Sequence, residues 1–313
     1  MSLFSACKEK GETKPKEVKV NPTIATLAYQ IEAQLGEGAY WNHVTQTFYW
    51  IDIEGKKLHL FDPATQTNRS FDTPSRIGNV VPASSTEAMV ALEDGIHILN
   101  TETGALTMFA EIENDIADNR MNDGKCDPAG RLWTGTMHMP QTSANGKVYM
   151  VNGDGSHKTM IDSVTISNGI VWTKDAKTMY YIDTPTGYVR AYDYDNTTGA
   201  ITNERKVIEV PESVGFPDGM TIDNEDKLWI GLWNGNKVAR YDPLTGKMMS
   251  SIDVPAHNVT ACAFGGPNLD TLYITTARVD MTDAELDSLP LSGSIFKVVP
   301  GVTGVPSAQF KKR

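Results

Sequence analysis

The chain has little cysteine and no long apolar run. Its three cysteines among 313 residues, Cys7, Cys126 and Cys262, make no disulfide framework and lack the spacing of a zinc finger. Cys126 and Cys262 read as small packing residues. No apolar stretch approaches the roughly 20 residues that cross a bilayer, so no membrane-spanning helix is expected. Basic residues are outnumbered, with 28 Lys and Arg against 39 Asp and Glu, a formal net charge of −11 and a pI near 5.0. Nucleic acid is therefore not an expected partner, because binding it takes a concentrated basic face. A Gly-x-Ser-x-Gly elbow, a His-Glu-x-x-His pair and a glycine-rich phosphate loop are all missing, and the six histidines show no ligand spacing.

The chain does contain a repeated cycle, most legible from Phe216 to Pro243. Pro-Asp-Gly reads as a corner before the apolar run Met220–Ile222, and Asp223–Asp226 as a polar turn. Lys227–Leu232 alternates like a strand, Asn234-Gly235-Asn236 turns the chain back, and Lys237–Tyr241 follows. Similar second-strand openings fall at Phe48, Met89, Leu132, Met179, Leu228 and Leu272, spaced by 41, 43, 47, 49 and 44 residues. A period of that size matches propeller blades of four short strands and is not a feature of β-sandwiches, the competing architecture. The expected fold is all-β, a six-bladed β-propeller over residues 22–313, with a central divalent-metal site. Ile24–Ala33 is expected to complete the last blade against Ser294–Val299 and so tie the two ends of the chain together. Asp283–Leu289 is the one helical candidate.

Ten or eleven residues upstream of the openings lie Glu37, Gly78, Asn122, Asn168, Asp218 and the Thr260–Ala261 neighbourhood. Four of these six positions carry side-chain oxygen. In a propeller they belong to the innermost strands, beside the channel. Two carboxylates and two amides converging there repel or stay unsatisfied unless something positive lies between them. Oxygen donors without sulfur suit calcium or magnesium. A ring of buried hydrogen bonds or ordered water is the alternative.

Several blocks now carry a resemblance: RMNDGKCDPAGRLWTGTM (120–137), ISNGIVW (166–172), YYIDT (180–184), PDGMTID (217–223), LWIG (228–231) and CAFGG (262–266). In this order they resemble the SMP-30/gluconolactonase/luciferin-regenerating family, which includes regucalcin. The resemblance implies a six-bladed propeller with one divalent cation held by Glu37, Asn168 and Asp218. Calcium is the first expectation, with zinc, magnesium and manganese as alternatives. It also implies substrate contacts from Arg120 and Asn122, with Asp218 as the catalytic carboxylate. The implied reaction is hydrolysis of a sugar-type lactone; a phosphotriesterase-like hydrolase and a non-catalytic ligand-binding propeller are the alternatives. The chain departs from the regucalcin pattern in GTMHMPQTS, where Pro140 stands in the place of a sugar-holding glutamate. His138 is the expected replacement contact, and a solvent-facing rim position is its other reading.

Residues 1–21 read as a disordered charged tail. Phe4-Ser5-Ala6-Cys7 resembles the end of a bacterial lipoprotein signal, with Met1-Ser2-Leu3 reading as a leader on a truncated signal. Cys7 is thus an expected lipid anchor, with a periplasmic or outer-surface location, and a cytoplasmic one as the alternative.

Overall fold

A computed structural model describes residues 23–313. The tail reading for residues 1–21 and the anchor at Cys7 lie outside the described residues. Six sheets succeed one another along the chain; the first four run from an inner strand to an outer one in sequence order, and the last two add an outermost strand from the beginning of the chain. The inner strands are Gly36–Asn42, Ile77–Pro82, Asn119–Cys126, Ser167–Trp172, Phe216–Ile222 and Asn258–Gly265. Each packs against its neighbours, and the last packs against the first, so the six blades close into a propeller. The second strands begin at Thr47, Glu87, Leu132, Thr178, Leu228 and Thr271, within two residues of the openings read from the sequence.

Burial explains why the pattern reads weakly as alternation. Gly36–Asn42, Ile77–Pro82 and Ser167–Trp172 are buried at every residue, because one face meets the next blade, the other the preceding blade, and the edge meets the channel. Outer strands such as Thr67–Asp72 are largely exposed and polar. Strand Phe216–Ile222 includes the Pro-Asp-Gly that reads as a corner in the sequence. Pro217 is tolerated there because this strand is the sheet's inner edge, where a missing N–H breaks no ladder.

Ring closure uses both ends of the chain. Thr26–Tyr29 is the outer strand of the last blade, antiparallel to Ile295–Val298, as expected. Thr23–Ile24 additionally pairs in parallel with Lys247–Asp253 of the fifth blade. Among the described residues the single α-helix, Asp283–Ser288, begins in a reciprocal capping box between Thr282 and Glu285.

Residues 301–313 carry no sequence motif, yet they seal the ring end where the inner strands finish. Gly304 N–H donates to Leu269 O at 2.8 Å, and Thr303 O accepts from Asn224 N–H at 2.9 Å. Tyr40 Oη donates to the Ser307 and Ala308 carbonyls. Phe310, Lys311 and Arg313 donate backbone bonds to Pro82, Gly130 and Gly153. The segment thereby touches five blades. Phe310 is fully buried and meets Phe109 edge-on, centroids 5.6 Å apart. Phe310→Ala should therefore lower the free energy of unfolding by about 3–5 kcal/mol, seen as a lower urea midpoint. An unchanged midpoint would show that the segment merely lies on the surface.

Candidate functional site

Each inner strand departs from regular pairing at the same place. One extra residue interrupts the ladder to the second strand between Glu37 and Tyr40, Ile77 and Asn79, Met121 and Gly124, Asn168 and Ile170, Pro217 and Met220, and Val259 and Cys262. Such a bulge bends the strand and re-aims a side chain. The six bulges are the structural form of the shared phase seen in the sequence. They turn Glu37, Asn122, Asn168 and Asp218 toward one cavity of about 500 Å³ at the channel mouth. Close approach of neighbouring blades requires glycine beside them. A Cβ on Gly169 would lie 2.8 Å from the Asp218 carbonyl oxygen. The other two bulges send no side chain into the cavity: Gly78 lies against Met121, and Thr260 Oγ1 donates to Gly36 O at 2.5 Å.

The four side chains and Arg120 are all buried, between 5 % and 8 % exposed. Asp52 fixes the approach to Glu37 by accepting from Gln34 and Leu35 N–H, both at 3.0 Å. Asp183 does the same for Asn168 by accepting from Ile166 N–H at 2.9 Å. Thr184 Oγ1 donates to Pro217 O and accepts from Asn168 Nδ2, both at 2.8 Å. This orients the Asn168 carbonyl oxygen toward Asn122, whose Nδ2 donates to it at 3.1 Å. Asn122 Nδ2 also donates to Ser167 O, and its Oδ1 accepts from Arg120 Nη1 at 2.6 Å. Asp218 Oδ1 has no hydrogen-bond partner although it is buried.

Residues 35–278 match the SMP-30/Gluconolactonase/LRE-like region. The chain belongs to this family. It is 40 % identical over 272 residues to a Bacillus subtilis (strain 168) protein, YvrE, provisionally named a sugar lactone lactonase; the match covers 87 % of this chain and 93 % of that one. It is 36 % identical over 283 residues to Xenopus laevis regucalcin, covering 88 % and 95 %. A crystal structure of an Agrobacterium tumefaciens regucalcin, described as a calcium-binding protein, superposes with a TM-score of 0.89 at 28 % identity, over 93 % of this chain and 98 % of that one.

Of the site residues expected from the SMP-30/gluconolactonase resemblance, Glu37, Arg120, Asn122, Asn168 and Asp218 line one cavity. His138 does not. It ends the strand Leu132–His138 with its ring beside Ser143 Oγ, while Met137, Met139 and Gln141 line the wall. Pro140 is exposed. Arg120 forms none of the ion pairs among the described residues, so the surface pairing with Asp118 or Asp123 that its sequence setting also allows is not made. Burial lowers its pKa to about 10. Sequence reasoning missed Glu54, Arg76 and Thr184. The signal for Arg76 was available: it precedes Gly78 by two residues, as Arg120 precedes Asn122.

The electrostatics test whether a cation fits. Burial pushes the Asp218 carboxyl well above the usual carboxylate range, and the Glu37 and Asp123 charges push it further. Burial and Asp123 raise Glu37 in the same direction. Two carboxyls raised chiefly by burial, one with an orphaned oxygen, and an amide oxygen held beside them form a hard, oxygen-only donor set. Glu37, Asn168 and Asp218 thus fit a divalent cation such as calcium. With folded-state pKa values raised, the cation-free protein holds protons here that the unfolded chain releases at lower pH. The stability these two groups contribute is then fully present below the unfolded carboxyl pKa values and is lost as pH rises through the folded ones. Thermal melting in chelator should fall between about pH 5 and pH 8, while the stabilisation added by calcium grows over the same range. A calcium effect independent of pH would refute the fit.

Proposed function

We propose that this protein is a metal-dependent hydrolase that opens sugar-type lactones. The observation that carries the reading is the pair of buried carboxyls, Glu37 and Asp218, with Asp218 Oδ1 unpartnered, at the floor of the one wall shared by Asn122, Asn168 and Arg120. Kinship with the provisionally named sugar lactone lactonase supports the substrate class. Glu37, Asn168 and Asp218 would hold the cation, and calcium is the first candidate because the regucalcin of known structure is described as calcium-binding. When bound, such an ion supplies the positive charge that offsets negative charge developing on an ester carbonyl oxygen.

The chain's own groups do the rest. Arg120 presents a planar guanidinium, anchored by the Met121 carbonyl and Asn122 Oδ1, to an oxygen of the lactone. Asn122, whose amide is committed to Ser167 and Asn168 on one side and Arg120 on the other, keeps that guanidinium in place. Asp218 takes the proton of the attacking water as general base. Leu35, Ile53, Ile166, Phe216, Trp233 and Val279 surround the floor with apolar surface and limit competing water. Glu54, Arg76 and Gln141 at the mouth make it polar on one side, which favours a hydroxylated lactone over a phosphotriester.

A metal-stripped preparation assayed with calcium, magnesium, manganese and zinc on a panel of sugar lactones tests the reading. Asp218→Ala should lose both hydrolysis and cation binding; hydrolysis that survives it removes the assignment. Arg120→Ala should lower kcat/KM by about one to three decades, equivalent to about 1.4–4 kcal/mol, with cation affinity unchanged within about twofold. Loss of the cation together with activity in that variant would instead make Arg120 part of the metal's support.

A further inference from the structure

Blade two contributes glycine where four other blades contribute an oxygen ligand, and the cavity wall above Gly78 is built by Arg76. Arg76 and Arg120 occupy the same phase on neighbouring blades, two residues before the bulge position. At about 3.3 Å per extended residue, the backbone of Arg76 stands about 6–7 Å from Gly78 toward the mouth. A six-membered lactone with its ester at the floor carries its far ring hydroxyls across about that distance.

Arg76 is held rigidly at this height. Its Nε donates to Glu54 Oε1 at 2.9 Å and its Nη1 to Glu93 Oε1 at 3.2 Å. Glu54 lines the cavity with Arg76, whereas Glu93 stands behind and does not. All three are about one-third exposed, so the group meets water when no substrate is present. Arg76 Nη1 also lies 3.8 Å from Met139 Sδ, next to Pro140, the place where the regucalcin pattern has a sugar-holding glutamate. The wall thus offers guanidinium donors and a carboxylate acceptor side by side. A hydroxyl both donates and accepts, so a vicinal diol satisfies both partners where a bare methylene chain satisfies neither. Opposite them stand Phe216, Trp233 and Val279, which suit the C–H face of the same ring.

We propose that Arg76, with Glu54, is a specificity-determining subsite that reads the hydroxyl-bearing end of the lactone distal to its ester. The subsite takes over the contact that Pro140 cannot make. It rests on the lactonase reading of the cavity floor.

The test compares D-glucono-1,5-lactone with δ-valerolactone, which has the same six-membered ester ring and no hydroxyls. Arg76→Met should lower kcat/KM for the gluconolactone by about 10- to 100-fold, the range expected when a charge-assisted hydrogen bond is lost. Its rate on δ-valerolactone should stay within about threefold of the unaltered protein. Glu54→Gln, which preserves shape, should show the same selective loss to a smaller degree. Equal loss on both lactones, or no loss on either, overturns the proposal. If the unaltered protein opens neither lactone, the lactonase reading falls, and calorimetry with gluconate and 5-hydroxyvalerate then decides the subsite separately. Selective weakening of gluconate by Arg76→Met supports it, and equal affinities of the two proteins for gluconate overturn it.

Discussion

Two carboxyls buried together at the ring axis are the constraint on which the rest of this structure depends. Closing six sheets into a propeller brings the beginnings of six inner strands together, and two of them carry Glu37 and Asp218 into the same dry space. Desolvation and the neighbouring Glu37 and Asp123 carboxyls oppose a charge on Asp218, and no hydrogen bond satisfies its Oδ1. An arrangement unfavourable in isolation persists only where the surrounding fold over-determines it. Here the surroundings include the Asp52 and Asp183 clamps, the Thr184 link to Pro217, and glycines that let adjacent bulges nearly touch. The stability needed to hold the floor comes from elsewhere in the ring. The last blade is shared between the two ends of the chain, and residues 301–313 bind five blades together at the far end.

The features legible in the sequence are those that recur. A second strand opening every 41 to 49 residues sets blade number, and residues at a common distance upstream converge because each blade repeats the same bulge. Glu37, Asn122, Asn168 and Asp218 could be found by that ruler alone. Single events were harder to see. The tail 301–313 binds through backbone groups and one aromatic, Phe310, neither of which announces a partner in the sequence. Thr184 acts through one hydroxyl in a turn. Arg76 is hidden because the repeat places glycine, not a side-chain oxygen, at the bulge position of its blade. His138 illustrates the reverse difficulty: adjacency to a conspicuous motif does not set side-chain direction, and the strand ends with its ring on Ser143.

The repeat also explains how one architecture divides chemical labour. In four blades the bulge brings a side chain to the floor, while Arg76 from two places before a bulge and loop residues after second strands, such as Glu54, Gln141 and Trp233, line the rest of the cavity. Blades one, four and five supply Glu37, Asn168 and Asp218. Blades two and three supply the guanidiniums of Arg76 and Arg120, and blades five and six supply Trp233 and Val279. Similar backbones therefore present a carboxyl-bearing floor, a polar wall and an apolar wall around a single cavity. The backbone repeats, and the chemistry does not.

This division assigns different tolerances to different parts of the site. Floor positions sit within ladders, flanked by glycines whose replacement would drive a Cβ into the next blade; Gly78 would meet the Met121 carbonyl at 2.5 Å. A change there disturbs two blades at once. The mouth is built differently. Residues 139–145 cross from one strand to the next largely exposed, Gln141 adopts a left-handed φ of 54°, and Pro140 packs against nothing that fixes the floor. Loops of this kind accept substitution without strain on the ladder beneath them. A family with this fold can thus keep one reacting centre while exchanging the groups that recognise the remainder of the substrate. Within this single chain, Pro140 departs from the regucalcin pattern at the mouth while Glu37, Asn168 and Asp218 line the floor.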